Sequence, residues 1–155
     1  MRRRASPLRW SPATPVSATL VAGLAGAALS GLPSTVVTLL RGEDLLDGAR
    51  AAGAMVLPGE RRTAVLLAAA TPVHLVLSLG WAAVLARALP RGREPLWGAI
   101  AGLAIAALDL GVIGRRIPAI RSLPQGRQWA DHLAYGLTVG VVLRTRRACD
   151  PPSRP

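Results

Sequence analysis

The chain has 155 residues, 51% of them apolar and 17% charged, with a mean hydropathy of +0.37 and a formal net charge of +11. With no Phe, one Tyr and four Trp, it lacks the aromatic stock of an ordinary water-soluble core; Ala, Leu, Gly and Val carry the apolar mass instead, as in closely packed membrane helices. The charge argues against a nucleic-acid binder, because all nineteen basic residues are Arg and lie between or beside the apolar stretches rather than along one helix face.

Residues 1–15 form a basic segment with Arg2, Arg3, Arg4 and Arg9, expected on the cytoplasmic side. The first apolar stretch follows at 16–40 and is long enough to cross a bilayer core, which takes about 20 apolar residues. Its start has the outline of a signal peptide, with Ala25-Gly26-Ala27 as a small-residue cleavage site. The apolar run outlasts the h-region of a signal, so the segment is expected to remain as a span. Pro33 predicts a kink, with Ser34 and Thr35 hydroxyls near the freed backbone groups.

Between this span and the next, apolar Leu45, Leu46, Ala49, Ala52, Gly53 and Val56 recur at helical spacing, with Glu43 and Asp44 where a helix N-terminus favours negative charge. A short interfacial helix is expected there. The second span, 63–89, contains Pro72 and His74. The third, 96–113, ends with Asp109 near its far side, and Pro118 and Pro124 predict an ordered turn beyond it. The fourth, 128–143, begins with Asp131, His132 and Tyr135. Residues 144–155 read as a disordered basic tail whose Arg146 and Arg147 touch anionic headgroups. Trp97 and Trp129 sit at span ends, where aromatic anchors belong; Trp10 is expected near the surface and Trp81 in packing.

The expected fold is therefore all-α, a bundle of four transmembrane helices in one membrane domain over 16–143. Arginine counting orients it. The N-terminal segment, the second loop and the tail hold eleven Arg against eight in the first and third loops, so the positive-inside rule places both termini in the cytoplasm of a multi-pass plasma-membrane protein.

The two halves also resemble each other. Ala22 to Leu29 matches Ala101 to Leu108 at seven of eight positions, and the two His of the chain, His74 and His132, each precede Leu in similar contexts, His74-Leu75-x-x-Ser78-Leu79 and His132-Leu133-x-x-Gly136-Leu137. This predicts two similar helical hairpins, a parallel repeat about an axis along the membrane normal. Gly23, Gly26, Gly98, Gly102, Gly136 and Gly140 are expected to pack helices closely, a structural role rather than a catalytic one.

The candidate site is a polar cluster of His74, Asp109, Asp131, His132 and Tyr135 in the non-cytoplasmic half. Ionisable groups inside a bilayer face the protein interior and find partners. Carboxylate–imidazole pairs suit a proton relay, a polar substrate pocket or a metal site; the plainer reading is an interhelical hydrogen-bond network that fixes the bundle, and the sequence favours it. Adjacent Asp131 and His132 diverge by about 100° on a helix, unlike the i, i+4 spacing of a shared metal-ligand face. No nucleotide loop, zinc-protease pattern or nucleophile elbow is present, so an enzyme is not the favoured reading, and neither a cofactor nor a metal is expected. The lone Cys149 permits no intrachain disulfide.

Gly31-Leu32-Pro33-Ser34-Thr35, Ala107-Leu108-Asp109-Leu110, Pro118-Ala119-Ile120 and Ala130-Asp131-His132-Leu133-Ala134-Tyr135-Gly136 resemble the pattern of small integral membrane proteins from GC-rich actinobacteria. More distantly, the Ala-Gly-Leu-Ala and His-Leu-x-Tyr-Gly elements are similar to YagU-type inner-membrane proteins. The resemblance implies a bacterial inner-membrane location and a four-helix fold, and brings no catalytic residues. The expected function is that of a non-enzymatic accessory or stress-related membrane component, with a small oligomeric transporter or proton-linked channel as the alternative. The expected partners are the lipid bilayer and a second copy or another membrane protein, with no nucleic acid.

Overall fold

The computed structural model describes residues 15–149, which are all-helical, with no strand among them. The N-terminal basic segment through residue 14, with Trp10, and the tail from Asp150 onward lie outside the described residues. Helices α1 (Val16–Leu29) and α2 (Leu32–Arg41) follow the first apolar stretch, α3 (Asp47–Ala54) lies in the first loop, and α4 (Thr63–Ala88) is the second span. Helix α5 (Glu94–Leu108) runs into a π-helical turn, Asp109–Ile113, and a 3₁₀ turn, Gly114–Arg116; α6 (Pro118–Arg121) and α7 (Gln125–Cys149) complete the chain.

Three segments are long and apolar enough to cross a membrane: Val16–Arg41, Thr63–Ala88 and Glu94–Arg116. The 25 residues of α7 would extend about 37 Å at 1.5 Å per residue, but its polar residues keep it out of that group. Its position in the fold accounts for the composition. Helix α7 packs against α5, α1 and α2 and also reaches α4, so protein rather than surroundings covers much of its surface.

The residue pairs that meet fix the helix directions. Gly23 approaches Leu79 and Ala82, while His74 reaches Ala27, so α1 and α4 are antiparallel. Gly98 lies against Gly136 and Gly140, and Gly102 against His132 and Gly136, so α5 and α7 are antiparallel as well. Between these pairs, Gly26 lies under the Tyr135 ring and Val139. Ala22, Ala82, Leu85, Ala86, Leu89, Ile105, Tyr135, Val139 and Leu143 make a continuous apolar core through all four long elements, with Trp81 packed on its edge.

At Pro33 the hydrogen-bond ladder of the first span is interrupted, but Ser30 and Gly31 keep right-handed helical dihedrals, so the segment bends as a kink. Helix α1 stops at Leu29, Ser30 and Gly31 form the turn, and α2 restarts with Pro33 in its first turn. A proline ring collides with the carbonyl four residues back and has no N–H to give it, whereas in a first helical turn both defects are harmless. Pro72, by contrast, lies inside an unbroken α4. At the far end of α2, Gly42 adopts φ +63 and donates its N–H toward Leu39 and Thr38 carbonyls, a left-handed C-cap that glycine accommodates without Cβ strain.

The loop acids anchor these turns. Glu43 accepts from Arg127 at the start of α7, and that hydrogen bond holds its carboxyl below the usual range; Arg127 also donates to the Thr38 hydroxyl at 3.0 Å. Asp44 accepts from Arg50 at 2.5 Å, with the same lowering effect, and caps the Leu46 N–H at 2.8 Å. Arg62 and the N–H groups beside it bring Glu60 down to about 2. The predicted interfacial helix is accordingly shorter than its apolar pattern, because the Asp44 turn delays its start to Asp47. Its Gly53 packs directly on the backbone of Leu66, joining α3 to α4.

Residues 144–149, expected to belong to the disordered tail, are helical. Helix α7 continues to Cys149, and Arg147 turns inward instead of toward headgroups. It meets Glu94 at 3.2 Å and donates to the carbonyls of Ala86 at 2.5 Å and Leu89 at 3.2 Å, with Glu94 2% and Arg147 6% exposed. Both ends of α7 are thus tied by an Arg, Arg127 to the α2–α3 connection and Arg147 to the α4–α5 connection.

Candidate functional site

The five polar residues singled out in the sequence, His74, Asp109, Asp131, His132 and Tyr135, all line one cavity of about 790 Å³. Its walls come from α1, α2, α4, the end of α5 and the start of α7, and further lining comes from Ala49 and Ala52 of α3, the flanking Leu45 and Met55, and Ile120 of α6. Most of the lining is aliphatic. Polar groups stand along the wall made by α7 and the residues opposite it.

Three of the five are committed to the scaffold. The proline kink leaves the Ser34 N–H without its helical acceptor, and Asp131 Oδ1 accepts it at 2.9 Å, capping α2 from across the bundle. His74 Nε2 donates to the Ala27 carbonyl at 2.9 Å, near the end of α1. Tyr135 donates its hydroxyl to the Ser78 carbonyl of α4 while its ring covers Gly26. Each satisfies a backbone group, and together they support the structural reading for these residues.

Asp109 and His132 are held differently. The His132 Nδ1–H donates to the Gln128 carbonyl one turn back at 2.7 Å, which orients the ring. Its Nε2 stands 3.6 Å from Asp109 Oδ2, beyond hydrogen-bond length, and both side chains remain 23% exposed. Asp109 opens the π-helical turn, whose wider winding ends with the Gly114 N–H bonded to the Asp109 carbonyl. Single π turns in α-helices occur frequently at functional sites. No motif in the sequence announces this one; the Gly111 and Gly114 around it were the only available hint.

The six predicted packing glycines all sit at helix crossings: Gly23 and Gly26 on α1, Gly98 and Gly102 on α5, Gly136 and Gly140 on α7. Among the described residues, no three His, Cys, Asp or Glu side chains gather closely enough to hold a metal ion. The Glu94–Arg147 pair, at the opposite end of α7 from the cavity, has no counterpart in the sequence reading; its signal was an isolated Glu preceding Pro95 at a helix start.

These elements define, over the described residues, an all-helical protein with three segments able to cross a membrane and a partly open cavity carrying an Asp–His pair. No protein-family model matches the chain, and no curated protein or solved structure matches it at a significant level.

Proposed function

We propose that the chain is a multi-pass membrane protein of the bacterial inner membrane that binds a small molecule in this cavity, as a carrier or sensor rather than an enzyme. The observation that carries this reading is the Asp109–His132 pair, whose facing atoms, the Asp109 carboxylate and His132 Nε2, look into a cavity of about 790 Å³ without a hydrogen bond to the scaffold among the described residues. Ligand pockets of roughly 300–1,000 Å³ are mainly apolar with a few placed polar groups, and this lining has that character. In this reading α7 is the fourth crossing, shielded by its neighbours, and both termini face the cytoplasm. The cavity then lies in the outer half of the bilayer, beneath α3. The antiparallel α1/α4 and α5/α7 pairs fit two helical hairpins, but Gly23 meets Leu79 and Ala82 where the repeat calls for His74 and Ser78, so the two crossings differ in register by about one turn.

A second reading, an accessory component whose polar residues only hold helices together, draws on the three scaffold bonds of Asp131, His74 and Tyr135. Asp109→Asn separates the two. It keeps hydrogen-bonding capacity and removes the charge. Thermal unfolding of the detergent-purified protein against a panel of small organic cations, neutral amphiphiles and anions provides the readout, since a ligand at 100 times its Kd stabilises by about 2.7 kcal/mol. We expect at least one class to raise the wild-type melting temperature and the Asp109→Asn protein to lose that response while melting within a few degrees of wild type. A panel without effect, combined with a lowered melting temperature of Asp109→Asn, would leave only the structural reading.

A further inference from the structure

The geometry points to the chemical class of the ligand: an organic ammonium ion, carrying N–H donors on an apolar body. This rests on the cavity being a binding site, and it follows from the charge of the lining and from the acceptors that meet at Asp109 and His132.

Three hydroxyl donors on the polar wall are spent, while the hydroxyls of Ser30, Thr35 and Ser78 and the amide of Gln128 also line the cavity. The Tyr135 hydroxyl donates to Ser78, the Ser34 hydroxyl to Gly31 at 3.1 Å and the Thr71 hydroxyl to Leu67 at 3.2 Å, each to a backbone carbonyl. Both imidazoles have also used an N–H on a carbonyl, which can only accept: His132 through Nδ1 and His74 through Nε2. In the neutral rings, His132 Nε2 and His74 Nδ1 are therefore lone pairs. His132 Nε2 then lies 3.6 Å from Asp109 Oδ2, two acceptors facing each other with room for a shared donor. Asp131 adds a second carboxylate, of which one oxygen serves Ser34.

Charge gives the same answer. Of the fourteen Arg among the described residues none lines the cavity, while two carboxylates do. An anionic ligand would meet those carboxylates with no cationic side chain to receive it. A primary ammonium, in contrast, supplies three donors, enough to bridge Asp109 and His132 with one to spare, in charge-assisted bonds that a low-dielectric site strengthens. The aliphatic remainder of the lining, with Trp81 as a π-face for a cation, suits a hydrocarbon or aromatic body.

Three probes of one shape separate the possibilities: 1-naphthylmethylamine, 1-naphthylmethanol and 1-naphthoate, respectively cation, neutral and anion near pH 7. Binding is measured by equilibrium dialysis to the full chain in phosphatidylcholine nanodiscs, with empty discs subtracted. The amine should bind about tenfold or more tighter than the alcohol, a difference of about 1.4 kcal/mol per tenfold, with the carboxylate weakest. Asp109→Asn should bring the amine down to the affinity of the alcohol. An alcohol that binds as well as the amine, a carboxylate that binds best, or an amine preference that survives Asp109→Asn would each overturn the ammonium assignment while leaving a cavity that binds ligands. None of the three binding above empty discs would instead overturn the binding-site reading itself. The wild-type series decides the ligand class even if the variant fails to fold.

Discussion

Replacing Gly136 by valine is expected to force α5 away from α7 and to destabilise the protein by about 3 kcal/mol or more, the upper end of the usual overpacking range. A Cβ at this position would fall against the Gly98 carbonyl oxygen and lie 2.8 Å from the Gly102 nitrogen and 2.9 Å from its Cα. These are backbone atoms, so no rotamer change on either helix relieves the clash. The facing positions are equally intolerant, because Gly98, Gly102 and Gly140 each point at backbone across the same crossing. In lipid, where apolar burial between helices gains little, association depends on this close approach. Gly80→Val is the control, since nothing lies within 4 Å of its would-be Cβ and α4 there faces outward. Thermal unfolding in detergent should show a large loss for Gly136→Val and a small one for Gly80→Val. Equal losses would mean that the glycine crossing does not hold α5 to α7.

Removing Arg147 should be comparably severe. Glu94 is 2% exposed, its Oε1 rests on Arg147, and among the described residues its Oε2 has no hydrogen-bond partner. Arg147→Met would leave a buried carboxylate deprived of its direct ion-pair partner, a change that costs about 3–5 kcal/mol when one member of a buried pair is lost. The same change removes the guanidinium donors to the Ala86 and Leu89 carbonyls at the end of α4. The double variant Glu94→Leu, Arg147→Met should recover a large part of that loss, because replacing both charges by apolar groups is often close to neutral. Unfolding of the four proteins of this cycle measures the coupling directly. A double variant less stable than Arg147→Met alone would show that the carboxylate contributes independently of the Arg.

Much of the fold was legible because bilayer-length apolar runs impose few alternatives. The stretches 16–40, 63–89 and 96–113 were visible by length alone, and the structure places helices over each. What escaped were features set by neighbours. The kink at Pro33 is legible in the sequence, but not that Asp131, 98 positions later, caps the freed Ser34 N–H there. The end of α7 was read as a disordered tail because Arg-rich composition looks solvent-facing until a buried Glu94 appears opposite Arg147. The π turn at Asp109 likewise depends on how α5 meets the following turns rather than on any residue pattern. The polar cluster was found from the scarcity of ionisable residues inside apolar segments, a reliable signal where each such residue carries a desolvation cost. Its division into groups bonded to the scaffold and the facing Asp109 carboxylate and His132 Nε2 required distances.

The central claim, that the bundle crosses the membrane with both ends in the cytoplasm and the cavity in the opposite half, is tested most directly at Cys149. This cysteine is the only one in the chain, is exposed and is free, so a thiol reagent reports its side of the membrane without further engineering. In intact cells expressing the protein, a membrane-impermeant maleimide should leave Cys149 unlabelled and should label it once the membrane is permeabilised. Ready labelling in intact cells would contradict the orientation, and with it the placement of the Asp109–His132 cavity in the outer half of the bilayer.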